Sequence, residues 1–198
     1  KRTPQQATFD PGYYQLPGSS YRFRDDKPGG HGSVDMYKSI VVSCDTYYYQ
    51  LASDMPIDMI AGFMKPFGLG QITGIDVQGE LRGTLPSTEW KRNAYKKKEA
   101  QKWYAGETIS LGIGQGYNAF TPIQQAQAIA VIANDGIGLR PHVVKSIESS
   151  GAGEVRPHPC HHERIVGLRL GGRVHEVRPV GRRRPCPRQT RVDLEVDP

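Results

Sequence analysis

The chain has 198 residues, 37% of them apolar, enough for one domain with a core, or for one domain carrying a tail. No stretch approaches the roughly 18–20 unbroken apolar residues of a membrane span, and the opening residues lack a signal-peptide pattern. The net charge of +6 is unevenly placed: residues 1–150 contain all 17 aromatic residues and every lysine and carry +2, whereas residues 151–198 carry +4.

From Phe9 to Gly32 the chain reads as loops punctuated by turn formers, Asp10-Pro11-Gly12, Pro17-Gly18-Ser19-Ser20 and Lys27-Pro28-Gly29-Gly30, with short strands predicted at Tyr13–Leu16 and Tyr21–Arg24. Ser33 is placed to cap a helix over Val34–Val42, with Asp35 favourable in its first turn. Ser43-Cys44-Asp45 interrupts it, and a second helix is expected from Thr46 to Met55. Ile57, Ile60, Ala61, Met64 and Phe67 recur at helical intervals, and Gly68 is suited to end that run. The segment 68–83 is glycine-rich and extended, Ser87 with Glu89 opens another helix, and Lys96-Lys97-Lys98 reads as a solvated face. Thr121-Pro122-Ile123-Gln124 is the clearest local signal, a capping box with proline at the first helical position. The helix it starts is predicted to bury Ile123, Ala126, Ala130 and Ala133 and to stop at Asn134-Asp135-Gly136. Pro141–Glu148 then alternates as a strand. Helices followed by the start of a sheet give an α+β protein.

Residues 151–198 contain ten arginines, six acids, six prolines, four histidines and two cysteines, with no lysine and no aromatic residue. That composition fits an out-of-frame reading of a GC-rich gene better than a nucleic-acid arm, in which lysine usually accompanies arginine. Cys160-His161-His162, with His158 nearby, lacks the paired ligand spacing of a structural zinc site. Three cysteines without regular spacing give no disulfide framework.

Among possible catalytic groups, a Ser-x-Asp is more often a helix cap than a site, and nothing local lowers the pKa of Cys44, which reads as a small buried residue. Gly112-Ile113-Gly114-Gln115-Gly116 lacks the lysine and the strand-turn-helix setting of a phosphate loop, so its glycines are read as packing positions. His31, among glycines, is a possible base, and His142 a structural residue. Neither has a partner at a recognisable spacing, and no triad can be assembled.

Taken together, several segments resemble the penicillin-binding protein 2 family of class B D,D-transpeptidases. Ser43-Cys44-Asp45 within residues 34–49 looks like that family's second active-site motif. Residues 103–118, continuing through Thr121-Pro122 and Gln124, are similar to its following signature, as are Phe67-Gly68-Leu69-Gly70 and Leu85-Pro86-Ser87-Thr88-Glu89-Trp90-Lys91. The likeness runs from about residue 3 to about residue 155. It implies a partial transpeptidase domain with the penicillin-binding-protein and serine β-lactamase fold, mainly its helical region, over residues 1–155, followed by an irregular frameshifted or disordered tail over 156–198. It further implies peptidoglycan cross-linking through an acyl-serine, attack by a serine of a Ser-x-x-Lys motif, and a Lys-Thr-Gly or Lys-Ser-Gly strand along the site. Carried over by position, Ser43 is the proton-relay hydroxyl, and Asp45 orients the motif lysine or a substrate amide.

The departures are equally definite. No serine here is followed three residues later by lysine, and neither Lys-Thr-Gly nor Lys-Ser-Gly occurs. Pro56 stands where a glycine is expected. The resemblance therefore implies a segment inactive by itself, with its nucleophile expected upstream and its apolar helix faces exposed where a sheet is missing, hence marginal stability. Its expected partners are the D-Ala-D-Ala stem peptide, β-lactams and elongation-complex membrane proteins, with no cofactor, metal or nucleic acid. The intact family member is expected at the bacterial inner membrane with a periplasmic catalytic domain. Two other readings compete: a basic nucleic-acid-binding protein using the arginine tail, whose binding would be steeply salt-dependent, and a non-catalytic cell-wall interaction module.

Overall fold

The computed structural model describes residues 2–144 and, beyond them, the backbone of four short strands within 146–148, 155–157, 164–168 and 193–194. The tail and its Cys160-His161-His162 group otherwise lie outside the described residues. The chain mixes helices and strands, the expected α+β class, and forms two compact units: Lys1–Gly62 with Pro86–Asn118, and Phe63–Leu85 with Ala119–Pro198.

The first unit opens with β1 (Thr8–Asp10), β2 (Tyr13–Gln15), β3 (Arg22–Arg24) and β4 (Gly32–Val34). β2 and β3 form an antiparallel pair close to the expected strands, and β1 pairs antiparallel with β4, Phe9 opposite Ser33. That second pairing corrects the expected helix start. Val34 is a fully buried strand residue, and the cap is Asp35, whose carboxylate accepts the Lys38 amide at 2.8 Å. The shorter helix α1 (Met36–Val41) follows, then α2 (Asp45–Ser53) and α3 (Ile57–Met64), the last of which carries the chain into the second unit. Val34, Cys44 and Tyr47 make the core beneath α1 and α2, with Val42, Tyr48 and Leu51 packed around them.

The rest of this unit is α4 (Thr88–Ala94), α5 (Lys98–Gln101) and α6 (Ala105–Gly112). Ser87 caps α4 as expected, accepting the Trp90 amide at 3.0 Å. α6 lies against α2 so closely that a Cβ on Gly112 would stand 2.6 Å from the Ala52 Cβ and 2.8 Å from the Tyr48 carbonyl oxygen. The glycine there is a packing position, as the sequence indicated.

A buried ion pair ties α4 to α6. Lys91, only 3% exposed, pairs with Glu107 and donates to the Lys102 carbonyl at 2.7 Å. Its ammonium faces the rings of Trp103, Tyr104 and Tyr117 at 5.4–5.6 Å. Glu107 also accepts the Tyr104 amide and the Tyr117 hydroxyl, each at 2.9 Å. Burial works to raise the Glu107 carboxyl, but these donors outweigh it and hold it below the ordinary glutamate value of 4.5.

In the second unit the α3 run ends in a 3-10 turn, Lys65–Phe67, closed by Gly68 in the left-handed region at φ +89°. The capping box of α7 (Pro122–Ala133) forms as expected between Thr121 and Gln124. Its buried face, however, is Gln124, Gln127 and Val131, with Ala126, Ala130 and Ala133 turned outward, contrary to the apolar periodicity. The reason is polar. Fully buried Gln124 uses its amide group to donate to the Gln71 and Arg82 carbonyls, fastening the glycine-rich segment, while Phe67 packs on Val131. Ile129 and Ile132 are left 66% and 54% exposed.

Beyond Asn134, Asp135 and Gly136 take positive φ and the chain enters β5 (Ile137–Leu139), earlier than the predicted strand. Of the described residues within Pro141–Glu148, those of β6 (Ser146–Glu148) are extended in a ladder, antiparallel to β7 (Val155–Pro157). β8 (Arg164–Leu168) joins β5 antiparallel and β9 (Asp193–Leu194) parallel. No helix among the described residues is long and apolar enough to cross a membrane.

Because the folded-state pKa of Glu107 is depressed, its contribution to stability is complete above the ordinary glutamate range and is lost as pH falls through the depressed value. Glu107→Gln is expected to cost about 3–5 kcal/mol at pH 7, since it strands the buried Lys91 charge. It should also flatten the acid limb below about pH 4.5. Denaturant titrations of both proteins from pH 7 to pH 3 check this, and parallel acid limbs would refute it.

Candidate active-site loop and metal centre

Ser43 sits between α1 and α2 with its side chain exposed and its backbone at φ +53°, a conformation that costs a non-glycine residue about 1–3 kcal/mol unless its surroundings enforce it. The enforcement comes from Cys44. Its amide donates to the Ser39 carbonyl at 2.9 Å, and its side chain is fully buried. Ser39 is itself buried, its hydroxyl donating to the Met36 carbonyl at 2.7 Å. The chain is thus pulled inward on either side of the exposed hydroxyl. Asp45, expected as a possible cap, is instead the first residue of α2, with Cys44 in the cap position. It is half-buried, and burial, with the nearby Asp25 and Asp26 charges, raises its carboxyl above the ordinary value of 3.8.

Beneath Cys44 four side chains converge from four places in the sequence. Donor atoms of Asp10, Asp25, His31 and Cys44 all lie within 4.8 Å of one another. His31 Nδ1 is 2.9 Å from Asp10 Oδ2 and 3.3 Å from Asp25 Oδ1. Cys44 Sγ is 3.5 Å from Asp10 Oδ2 and 3.6 Å from Asp25 Oδ2. The turns do the placing. The Gly12 amide donates to Asp10 Oδ1 at 2.7 Å, the His31 amide to Asp10 Oδ2 at 2.8 Å, and the Thr46 amide to Asp25 Oδ2 at 2.8 Å. The turn at 27–30 presses on β1 so tightly that a Cβ on Gly30, at φ +77°, would fall 2.1 Å from the Asp10 carbonyl oxygen.

The electrostatics follow from this arrangement. Burial acts to raise Asp10, but the Gly12 and His31 donors prevail and hold it at about 2. Asp25 is also lowered, the Thr46 amide overcoming burial. Burial, reinforced by both carboxylates, pushes the Cys44 thiol up to about 12. Without a cation the thiol is neutral and no nucleophile, in keeping with its sequence reading.

Two carboxylates, an imidazole and a thiol form a borderline-soft donor set of the kind zinc takes. Zinc bond lengths of about 2.0–2.3 Å place tetrahedral donors roughly 3.3–3.8 Å apart; the close contacts here run from 2.9 to 3.6 Å, and all four donors lie within 4.8 Å of one another. The four residues fit the ion, which would favour the thiolate and screen the paired carboxylates. The expectation of no metal rested on the ligand spacing near Cys160 and did not take in this cluster, which could hold an ion. His31 does have partners, although none at a fixed spacing. Asp10 was legible only as a turn residue, and Asp25 was not singled out. His142, the other histidine weighed as structural, lies on no strand; its Nδ1 is 3.5 Å from the Arg140 carbonyl oxygen.

Residues 1–167 match the family described as penicillin binding protein transpeptidase domain, and the chain belongs to that family. More particularly, it is 47% identical over 148 residues to peptidoglycan D,D-transpeptidase MrdA of Haemophilus influenzae, covering 75% of this chain and 22% of that protein. It is 46% identical over 149 residues to MrdA of Escherichia coli K12, covering 75% and 23%. The chain thus spans under a quarter of the length of these relatives.

Among solved structures it resembles Pseudomonas aeruginosa PBP2 in complex with WCK 5153, with 46% identity and a TM-score of 0.69 over 83% of this chain and 34% of that one. It also resembles PBP2 of Helicobacter pylori in complex with MreC, with 27% identity and a TM-score of 0.65 over 79% and 28%.

Purified without chelator, the chain is expected to contain stoichiometric zinc by elemental analysis, with Cys44→Ala and Asp25→Asn each losing most of it, and chelation is expected to lower the wild-type melting temperature. A folded wild-type chain without metal, unmoved in melting temperature by added zinc, would refute the site.

Proposed function

We propose that this chain carries the second active-site motif of a peptidoglycan D,D-transpeptidase that cross-links stem peptides through an acyl-serine and is acylated by β-lactams. The observation that carries the reading is the Ser43 loop. An exposed hydroxyl is held in a left-handed turn by a buried anchor on its C-terminal side, in a chain of the transpeptidase family. Acyl transfer needs a nucleophile, a base to take its proton and a group to return that proton to the departing amine. Ser43 fits the relay between them. Its hydroxyl can accept a proton from the lysine of a Ser-x-x-Lys motif while passing its own to the leaving nitrogen, and the fixed turn keeps it aimed with no reorganisation at the moment of transfer. Asp45, at the start of α2, orients that lysine or a substrate amide. These 198 residues contain neither a Ser-x-x-Lys nor a Lys-Thr-Gly motif, so in this reading Ser43 acts with a nucleophile and lysine that are not among them.

In the intact protein the natural ligands are stem peptides ending in D-Ala-D-Ala, and the setting is the periplasmic face of the inner membrane. The resemblance to a PBP2 solved with MreC and, at 34% identity and a TM-score of 0.66, to a structure titled for a peptidoglycan synthase complex supports elongation-complex partners.

Incubated with a fluorescent penicillin, the 198-residue chain is expected to give no covalent band on a denaturing gel. A band abolished by Ser43→Ala would make Ser43 the nucleophile and overturn the relay assignment. In an intact transpeptidase containing this segment, Ser43→Ala is expected to slow acylation by about 10²–10⁴-fold. An unchanged acylation rate would likewise overturn it.

A further inference from the structure

Between α4 and α6 the chain runs through a strongly basic stretch. Arg92, Lys96, Lys97, Lys98 and Lys102 are all exposed, and Glu99 is the one acid among residues 91–102. These five cations exceed the whole +2 net charge of residues 1–150, so the remainder of that region is net acidic. None of the five takes part in an ion pair among the described residues.

The stretch is nevertheless fixed in shape. The buried Lys91 ammonium holds the Lys102 carbonyl from beneath, Gln101 donates from its side-chain amide to the Tyr95 carbonyl at 2.8 Å, and the Ala100 amide closes on the Lys97 carbonyl at 3.0 Å. Two partly exposed aromatic rings flank the lysines in sequence. Tyr104 is 52% exposed with the Lys102 ammonium 5.4 Å from its ring centre, and Tyr95 is 36% exposed. Holding like charges together in an ordered segment opposes folding, so the arrangement gains where an anionic partner neutralises it.

We propose that this basic and aromatic surface docks the peptidoglycan strand itself, the lysines and Arg92 meeting stem-peptide carboxylates and the Tyr104 and Tyr95 rings lying against sugar faces. The proposal rests on the transpeptidase reading and deepens it, adding a substrate-docking surface carried by sequence distant from Ser43. Charge complementarity selects an anionic polymer. The exposed rings select one with flat apolar faces between its charges, which favours a carboxylated glycan over an acidic peptide.

The test measures binding of the full 198-residue chain to un-cross-linked peptidoglycan strands by co-sedimentation, beside strands with amidated carboxylates, poly-glutamate and a DNA duplex. The wild type should bind the native strands with an affinity that falls as salt rises. Lys96, Lys97 and Lys98→Glu together should weaken it roughly tenfold or more. Tyr104→Ala should weaken it without changing the salt dependence, and Arg182, Arg183 and Arg184→Gln should leave it unchanged. Equal binding to poly-glutamate or DNA, undiminished binding to amidated strands, or loss only in the arginine variant would overturn the proposal. Failure here leaves the acylation result for Ser43→Ala standing, so the two readings fail separately.

Discussion

Two carboxylates, a thiol and an imidazole are buried together in the first unit, and much of that unit is arranged around making this tolerable. Asp10 and Asp25 lie close enough to repel, and a desolvated carboxylate is unstable unless donors surround it. The backbone answers with amides from Gly12, His31 and Thr46, each delivered by a turn or a helix start, and His31 bridges both acids. Meeting those requirements sets the pairing of β1 with β4, the tight turn at Gly30 and the start of α2. The thiol of Cys44 completes the group. Because Cys44 is drawn down, its neighbour Ser43 is forced into the left-handed region and outward. The exposed hydroxyl is thus the visible end of a buried electrostatic constraint.

A second polar centre organises the remainder of the same unit on different terms. Lys91 and Glu107 form a single opposed pair, already neutral overall, and the aromatic rings around the ammonium supply the favourable field that water would otherwise provide. The four-residue cluster has no such balance. Two carboxylates and a thiol there share a single imidazole, and a divalent cation would meet the thiol and both acids at once. This difference in stoichiometry is why the Lys91–Glu107 pair reads as structural and the four-residue cluster as a ligand site.

How much of this was legible in the sequence follows from the range over which each feature is encoded. Caps and stops are written within four residues, so Thr121 with Gln124, Ser87 before α4 and Gly68 after Phe67 were all readable. The misplaced helix start shows the limit of that local code. Ser33 and Asp35 are both good caps, and the choice fell to Asp35 because Val34 is needed as a buried strand residue. The face of α7 was misjudged for the opposite reason. Hydrophobic periodicity assigns glutamines outward, whereas Gln124 and Gln127 point inward, Gln124 to the Gln71 and Arg82 carbonyls and Gln127 to the Leu139 carbonyl of β5. The buried cluster left almost no local trace, since Asp10 begins an ordinary turn, Asp25 follows a predicted strand, and both stand apart from His31 and Cys44 in the chain. Only the resemblance carried by residues 34–49 marked the loop above them.

The anchors of Ser43 are confined to residues 10–46, whereas the chemistry it would serve is distributed. A relay hydroxyl acts on protons held by other groups, and its efficiency depends on how little it must move to meet them. A locally self-sufficient anchor separates these two demands. The turn is set by carboxylates and amides of the same unit, so a relay built on Ser43 would need little reorganisation to meet its partners. The same logic makes the loop sensitive to its foundation. Any change that releases Cys44 removes the force opposing the strain at Ser43, and the hydroxyl would then relax without a single group at the reacting centre having been altered.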